Sequence, residues 1–158
     1  MKIAIDATRI LYQKAGIGQY AYHLLKSLSK IDEENEYLLY FTVPQVAQWF
    51  KIQSWKKKNF KNKIIWIDGR ERNIKPADIF HDPGYMLPFK FNRGNKNIIT
   101  IQDLAFLLYP KLCTTDATKF YLRYLPTAAE KVDKIITPSY CTKKDVVAHF
   151  TSRKKKLR

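Results

Sequence analysis

The chain has 158 residues, 46% of them hydrophobic, which is enough for one domain with a single sizeable core and leaves no room for a second domain of comparable size. Against 14 Asp and Glu stand 29 Lys and Arg, and the formal charge of +15 suits a polyanion, an anionic membrane face or a phosphorylated substrate without choosing among them. Cys113 and Cys141 lie far apart with no Cys-x-x-Cys pair or neighbouring His cluster, which argues against a zinc site and a disulfide framework and points to a reducing, cytosolic compartment.

In chain order, the N-terminus reads Met1-Lys2-Ile3-Ala4-Ile5-Asp6 and meets an acidic residue too early for the apolar core of a signal peptide. No stretch approaches the roughly twenty apolar residues of a bilayer span, so any membrane contact is expected at the surface only. Short β-branched runs predict strands at Lys2 to Ala7, Tyr37 to Val43, Lys63 to Ile67, Ile79 to His81, Ile98 to Ile101 and Lys134 to Thr137. Between them Ile17 to Ser29 has helical spacing, with Tyr20, Leu24, Leu25 and Leu28 on one face. Pro44 opens a short predicted helix that runs to about Phe50. The longest helix is expected from Thr115 to Val132, capped by Thr115 or Asp116 and kinked or divided by Pro126. Ser139 caps a final helix whose apolar side is Val146, Val147 and Phe150. Arg70 to Lys75 and Phe89 to Lys96 read as loops. Strands alternating with helices predict an α/β domain over residues 1–150, an open, doubly wound, mostly parallel sheet with helices on both faces, followed by a basic tail at 151–158.

Several segments carry chemistry. Gly16-Ile17-Gly18 precedes Gln19 and Tyr20 at the start of the first helix, where backbone N–H groups and the helix dipole can receive a phosphate or a sugar hydroxyl. The same glycines also suit a plain tight loop, and the third glycine of the dinucleotide fingerprint is missing. His81 and Asp82 end a short strand before Pro83 and Gly84, at the edge where α/β sheets bind ligands; the bland alternative packs His81 in the sheet and has Asp82 cap the turn. Gln102 and Asp103 follow another strand, able to bond sugar hydroxyls, while Asp103 can also merely cap the next loop. Ser139 offers a hydroxyl at a helix start, which capping alone explains. From Trp49 to Lys63 aromatics interleave with lysines, a mixture that fits an anionic membrane surface or a solvated loop with tucked rings. No nucleic-acid-binding motif accompanies the charge, so nucleic acid is not an expected partner. No carboxylate pair has ligand spacing, so neither a metal nor a cofactor is expected.

Taken together, Ile3-Ala4-Ile5-Asp6-Ala7 with Gly16 to Tyr20, His81 to Pro88, Thr100 to Pro110 and Ala129 to Asp145 resemble the N-terminal domain of family 4 glycosyltransferases, in particular the mannosyltransferase-like bacterial members. The resemblance runs from Met1 to about Phe150 and implies the acceptor-side half of a GT-B enzyme with two Rossmann-like domains. It also implies retaining transfer of a sugar from a nucleotide-sugar donor to a glycan or lipid-linked acceptor. On that pattern Gly16 to Gly18 lie by the donor diphosphate and the segment around His81, with Asp82, borders the acceptor, while Ser139 is a candidate substrate contact from its place at a helix start alone. Gln102 and Asp103 approach the transferred sugar, with Gln102 standing where the family usually presents a histidine. Glutamine cannot take up a proton near neutral pH. The family's nucleotide-gripping domain has no counterpart in these residues, so this half is expected to be inactive alone and to need a separate donor-domain chain, in the cytoplasm or on the inner membrane face. The alternative is a non-catalytic acceptor- or membrane-surface-binding module derived from such an enzyme.

Overall fold

The computed structural model of the protein describes residues 1–12, 16–43, 57–66, 76–84 and 94–150. Six strands, β1 (Lys2–Asp6), β2 (Glu36–Val43), β3 (Phe60–Trp66), β4 (Ala77–Asp82), β5 (Gly94–Thr100) and β6 (Lys134–Ile136), form one sheet in the order β3-β2-β1-β4-β5-β6. Every neighbouring pair is parallel, so the sheet is parallel throughout, as expected for a Rossmann-like α/β domain. A parallel sheet is covered on both faces, and its inner strands therefore read as unbroken apolar runs. In β2 the five residues Tyr37 to Phe41 are all at most 2% exposed.

Among the described residues four α-helices accompany the sheet: α1 (Gly16–Ile31), α2 (Ala105–Leu108), α3 (Thr115–Lys131) and α4 (Tyr140–Phe150). Period-two alternation separates two cores. Ile5 pairs with Leu39 and faces the side where Ala21 and Leu25 of α1 pack, together with Tyr37, Phe41 and Phe60. Ile5 also pairs with His81, and His81 with Ile98, so Ile99 looks the other way. There it joins Ile135, with Leu125, Ala128 and Ala129 of α3 and Val146 of α4. Tyr37 and Phe60 stack at 4.5 Å between centroids and tie the edge strand β3 to β2.

Several boundaries differ from expectation for identifiable reasons. Residues 94–96, expected in a loop, belong to β5: the Asn97 amide exchanges hydrogen bonds with Gly94 N–H and C=O, and pairing with β4 outweighs the turn-like composition. β3 begins at Phe60 because that ring has Tyr37 to stack on. Pro126 does not divide α3, which runs unbroken from Thr115 to Lys131; Pro126 and Leu122 lie on the exposed side, where water can satisfy the carbonyl left without a donor. The residue capping α3 is Thr114, in extended conformation and without a side-chain bond, while Asp116 sits in the first turn and complements the helix dipole. In α4 the buried positions are Thr142 and Val146, four apart, and Val147 is 42% exposed. The segment after β1 forms a 3-10 turn at Thr8–Tyr12, and α2 with the turn at Pro110–Leu112 interrupts what reads as plain loop. The helix expected from Pro44 to Phe50 and the loop at Arg70 to Lys75 lie outside the described residues.

Candidate functional site

The strand order reverses beside β1: the chain passes from β1 to β2 on one side, and β4 and β5 continue on the other. Where the order reverses in an open α/β sheet, the crevice outside the strands' carboxyl ends is the favoured ligand site. Asp6 and Asp82 are the last residues of β1 and β4, Asp103 comes three residues after β5, and all three make the same device. Asp6 Oδ1 accepts the Thr8 N–H at 2.8 Å, Asp82 Oδ1 the Gly84 N–H at 2.9 Å, and Asp103 Oδ1 the Ala105 N–H at 2.9 Å. Each is an Asx turn, which bends the chain away from the sheet and fixes a carboxylate at the rim. One register step beyond Ile5 and His81, Asp6 comes beside Asp82, and both are buried, at 7% and 4% exposed.

Around this edge the loops interlock. A Cβ at Gly84 would lie 3.1 Å from both Arg9 Cγ and Ile17 Cγ2, so the glycine lets the 3-10 turn and the start of α1 close over the end of β4. Arg9 also bonds Tyr121 of α3, and Arg9 Nε is buried without a hydrogen-bond partner. Burial raises the Tyr121 phenol; the charges of Asp103 and Asp82 raise it further, and Arg9 opposes them. Arg9, Asp82, Asp103 and Tyr121 thus share one electrostatic neighbourhood.

His81 points to the opposite face of the sheet from Asp82, because neighbours on a strand alternate. Its Nε2 lies 2.9 Å from Thr100 Oγ1, which is itself 3.4 Å from the Tyr20 hydroxyl on α1. Burial penalises the imidazolium and lowers the His81 pKa to about 4, so the ring is neutral at pH 7.

Gln102 is the residue that draws the other expected positions together. Its Nε2 donates to Pro83 O at 3.2 Å, and its backbone carbonyl accepts the Thr142 hydroxyl at 3.1 Å. Ser139 Oγ accepts the Thr142 N–H at 3.1 Å and lies 3.0 Å from the Thr142 hydroxyl, which is the expected cap of α4. The turn after β4, the end of β5 and the first turn of α4 are therefore bonded through Gln102, while Asp103 stays exposed beside them. Gly16, Ile17 and Gly18 form the first turn of α1; Gly18 is buried, and Gly16 is exposed with nothing within 4 Å of a Cβ built on it.

The capping roles of Asp82, Asp103 and Ser139 are thus present, and so is the packing of His81 in the sheet. The residues that sequence reasoning missed are Arg9 and Tyr121, which approach each other only through the fold; the one local signal was Arg9 standing just past a strand end. Among the described residues no group of three or more His, Cys, Asp or Glu is placed to hold a metal ion. Nor is any helix among them long and apolar enough to cross a membrane. Of the Trp49 to Lys63 run, residues 49–56 lie outside the described residues, as does the tail at 151–158; Lys57 pairs with Glu33 at 2.9 Å and Lys61 with Glu36 at 2.7 Å. No protein-family model matches the chain, and no curated protein sequence matches it.

Proposed function

We propose that this domain is the acceptor-side half of a retaining glycosyltransferase, which moves a sugar from a nucleotide-sugar donor to a hydroxyl of a glycan or lipid-linked acceptor and works with a separate donor-binding domain. The observation that carries the reading is the convergence, where the strand order reverses, of the glycine turn of α1 with the rim carboxylates Asp82 and Asp103. A Rossmann-like sheet hosts many chemistries, so the reaction class rests on the resemblance in the sequence and the placement on this rim. In this reading the backbone N–H groups from Gly16 to Gly18 meet the donor diphosphate at the positive end of α1. Asp103, with one oxygen engaged by Ala105, has the other for a sugar hydroxyl, and the Gln102 side-chain carbonyl offers a second acceptor. Catalysis on such a rim is positioning and electrostatic stabilisation of the departing diphosphate. His81, neutral and bonded to Thr100, stiffens the sheet below and carries no proton for the reaction.

Gly16 supplies the test, because a methyl group there meets no protein atom. Titration of the isotopically labelled chain with UDP-glucose and GDP-mannose, followed by amide NMR, is expected to shift residues 16–18 with at least one donor. Gly16→Ala is expected to keep the thermal midpoint and weaken that donor at least tenfold, since the added methyl obstructs close approach of a ligand to the backbone. Absence of shifts at these amides with both donors, or unchanged affinity in Gly16→Ala, overturns the reading.

A further inference from the structure

After β5 the chain turns Phe106 and Leu107 inward and then exposes five residues in a row, Leu108 to Leu112. Leu108 is 38% exposed, Tyr109 61% and Leu112 84%, and the Pro110–Leu112 turn holds them outward through the Leu112 N–H bond to Tyr109 O. Such a tip is costly in water, since each of these side chains leaves apolar surface unburied. β5 and β6 are parallel neighbours, so the segments that leave them start from the same edge of the sheet. Tyr140, 70% exposed at the start of α4, therefore stands on the same rim, and the bond from Thr142 to Gln102 O ties its turn to the base of the tip. The polar groups interleaved with these side chains are basic: Lys111 lies in the tip, and Lys144 sits 5.0 Å from the Tyr140 ring. No acidic residue occurs from 104 to 115, and the chain carries +15.

We propose that this rim, Leu108, Tyr109 and Leu112 with Tyr140, docks the domain on an anionic membrane surface. Leucine inserts into the acyl boundary, tyrosine rings sit at headgroup level with their hydroxyls in water, and Lys111 and Lys144 meet anionic headgroups. Five consecutive exposed residues, three of them apolar or aromatic with a lysine among them, suit a lipid interface, where apolar and basic groups are both accommodated. It is a different surface from the lysine run of residues 56–63, where Lys57 and Lys61 are already paired with glutamates. The inference does not depend on the transferase reading: it concerns where the domain sits, whatever its crevice binds.

Vesicle co-sedimentation tests it, with vesicles of phosphatidylcholine alone and of seven parts phosphatidylcholine to three parts phosphatidylglycerol. The full chain is expected to sediment with the anionic vesicles and at least tenfold less with the neutral ones. Leu112→Asp and, separately, Tyr109→Ser are expected to lower partitioning about tenfold or more while leaving the circular-dichroism melt unchanged, since both side chains lie outside the core. Lys111→Glu is expected to lower it by at least the fivefold or so that one basic residue near an anionic surface contributes. Binding that ignores all three substitutions, no binding to either vesicle, or a concentration-dependent dimer that disappears in Leu112→Asp would each overturn the proposal, the last by showing that a second copy covers the rim.

Discussion

Acidification should unlock this fold at one buried ring. His81 is 8% exposed, its Nε2 lies 2.9 Å from Thr100 Oγ1, and burial holds its pKa at about 4. In the unfolded chain a histidine titrates near about 6.5. The folded value is the lower one, so the unfolded chain takes up the proton first. The stability that neutral His81 contributes is therefore complete above about pH 6.5 and is lost as pH falls toward 4. Linkage puts the loss at about 2 kcal/mol by pH 5 and about 3 kcal/mol by pH 4. Against a total of roughly 5–15 kcal/mol for an ordinary domain, that is a large share. Urea unfolding at pH 7, 6, 5 and 4 on the wild type and on His81→Gln measures it, because the variant keeps a polar group facing Thr100 but cannot be protonated. Every other ionisable group is common to the two proteins, so the stability gap between them isolates His81. That gap should move by about 3 kcal/mol in favour of the variant from pH 7 to pH 4. A constant gap, or an imidazole resonance absent from His81→Gln that titrates near 6.5 in the folded wild type, would refute the reasoning.

A Cβ on Gly94 would lie 2.6 Å from Phe80 N and 2.8 Å from Lys96 O, both backbone atoms that cannot step aside, so Gly94→Ala should destabilise the domain by about 2 kcal/mol or more, read as a lower urea midpoint. At the turn between α1 and β2, bonds from the Tyr37 hydroxyl (2.6 Å) and the Asn35 side chain (2.7 Å) hold the Asp32 carboxyl well below the usual carboxylate range. This folded pKa is depressed, so its contribution is present above the ordinary value of about 3.9 and is lost as pH falls through the lower folded one. Tyr37→Phe should raise the Asp32 pKa, followed by carboxyl-carbon NMR, and shrink the stability lost in that acid window.

How much of this was legible in the sequence depended on whether the signal was local. The strands of the sheet announced themselves as β-branched and aromatic runs, and α1 and α4 by their spacing and, for α4, its Ser139 cap. What misled was composition judged without partners. Gly94 and Asn95 look like turn residues until the Asn97 amide is seen closing a hydrogen-bonded loop on Gly94 at the start of its own strand. Pro126 looks like a break until its exposed side is seen. At the site, Asp82, Gln102, Asp103 and Ser139 were visible because they stand at or just past strand ends or cap a helix. Arg9 and Tyr121 were not, because they are far apart in the sequence and nothing in the residues between them records their meeting.

The Asx turns at Asp6, Asp82 and Asp103 bear on how structure and function share residues here. An aspartate at a strand end is commonly read either as a cap or as a ligand, yet a carboxylate has two oxygens, and in each of these Oδ1 closes the turn. The cap itself restrains the side chain, so the entropy of ordering it is lost on folding and need not be lost again when a ligand binds. A lysine-rich protein of net charge +15 thereby keeps fixed carboxylates at the edge where its strand order reverses, with Arg9 and Asp82 both acting on Tyr121. Of the three aspartates, Asp103 is exposed, whereas Asp6 and Asp82 are buried and engaged within the fold. The positive end of α1, with Gly16 exposed, suits an anion a short distance away. The proposed transferase reading asks two things of this edge, a restrained carboxylate open to solvent and an exposed helix start, and Asp103 and Gly16 have those two places.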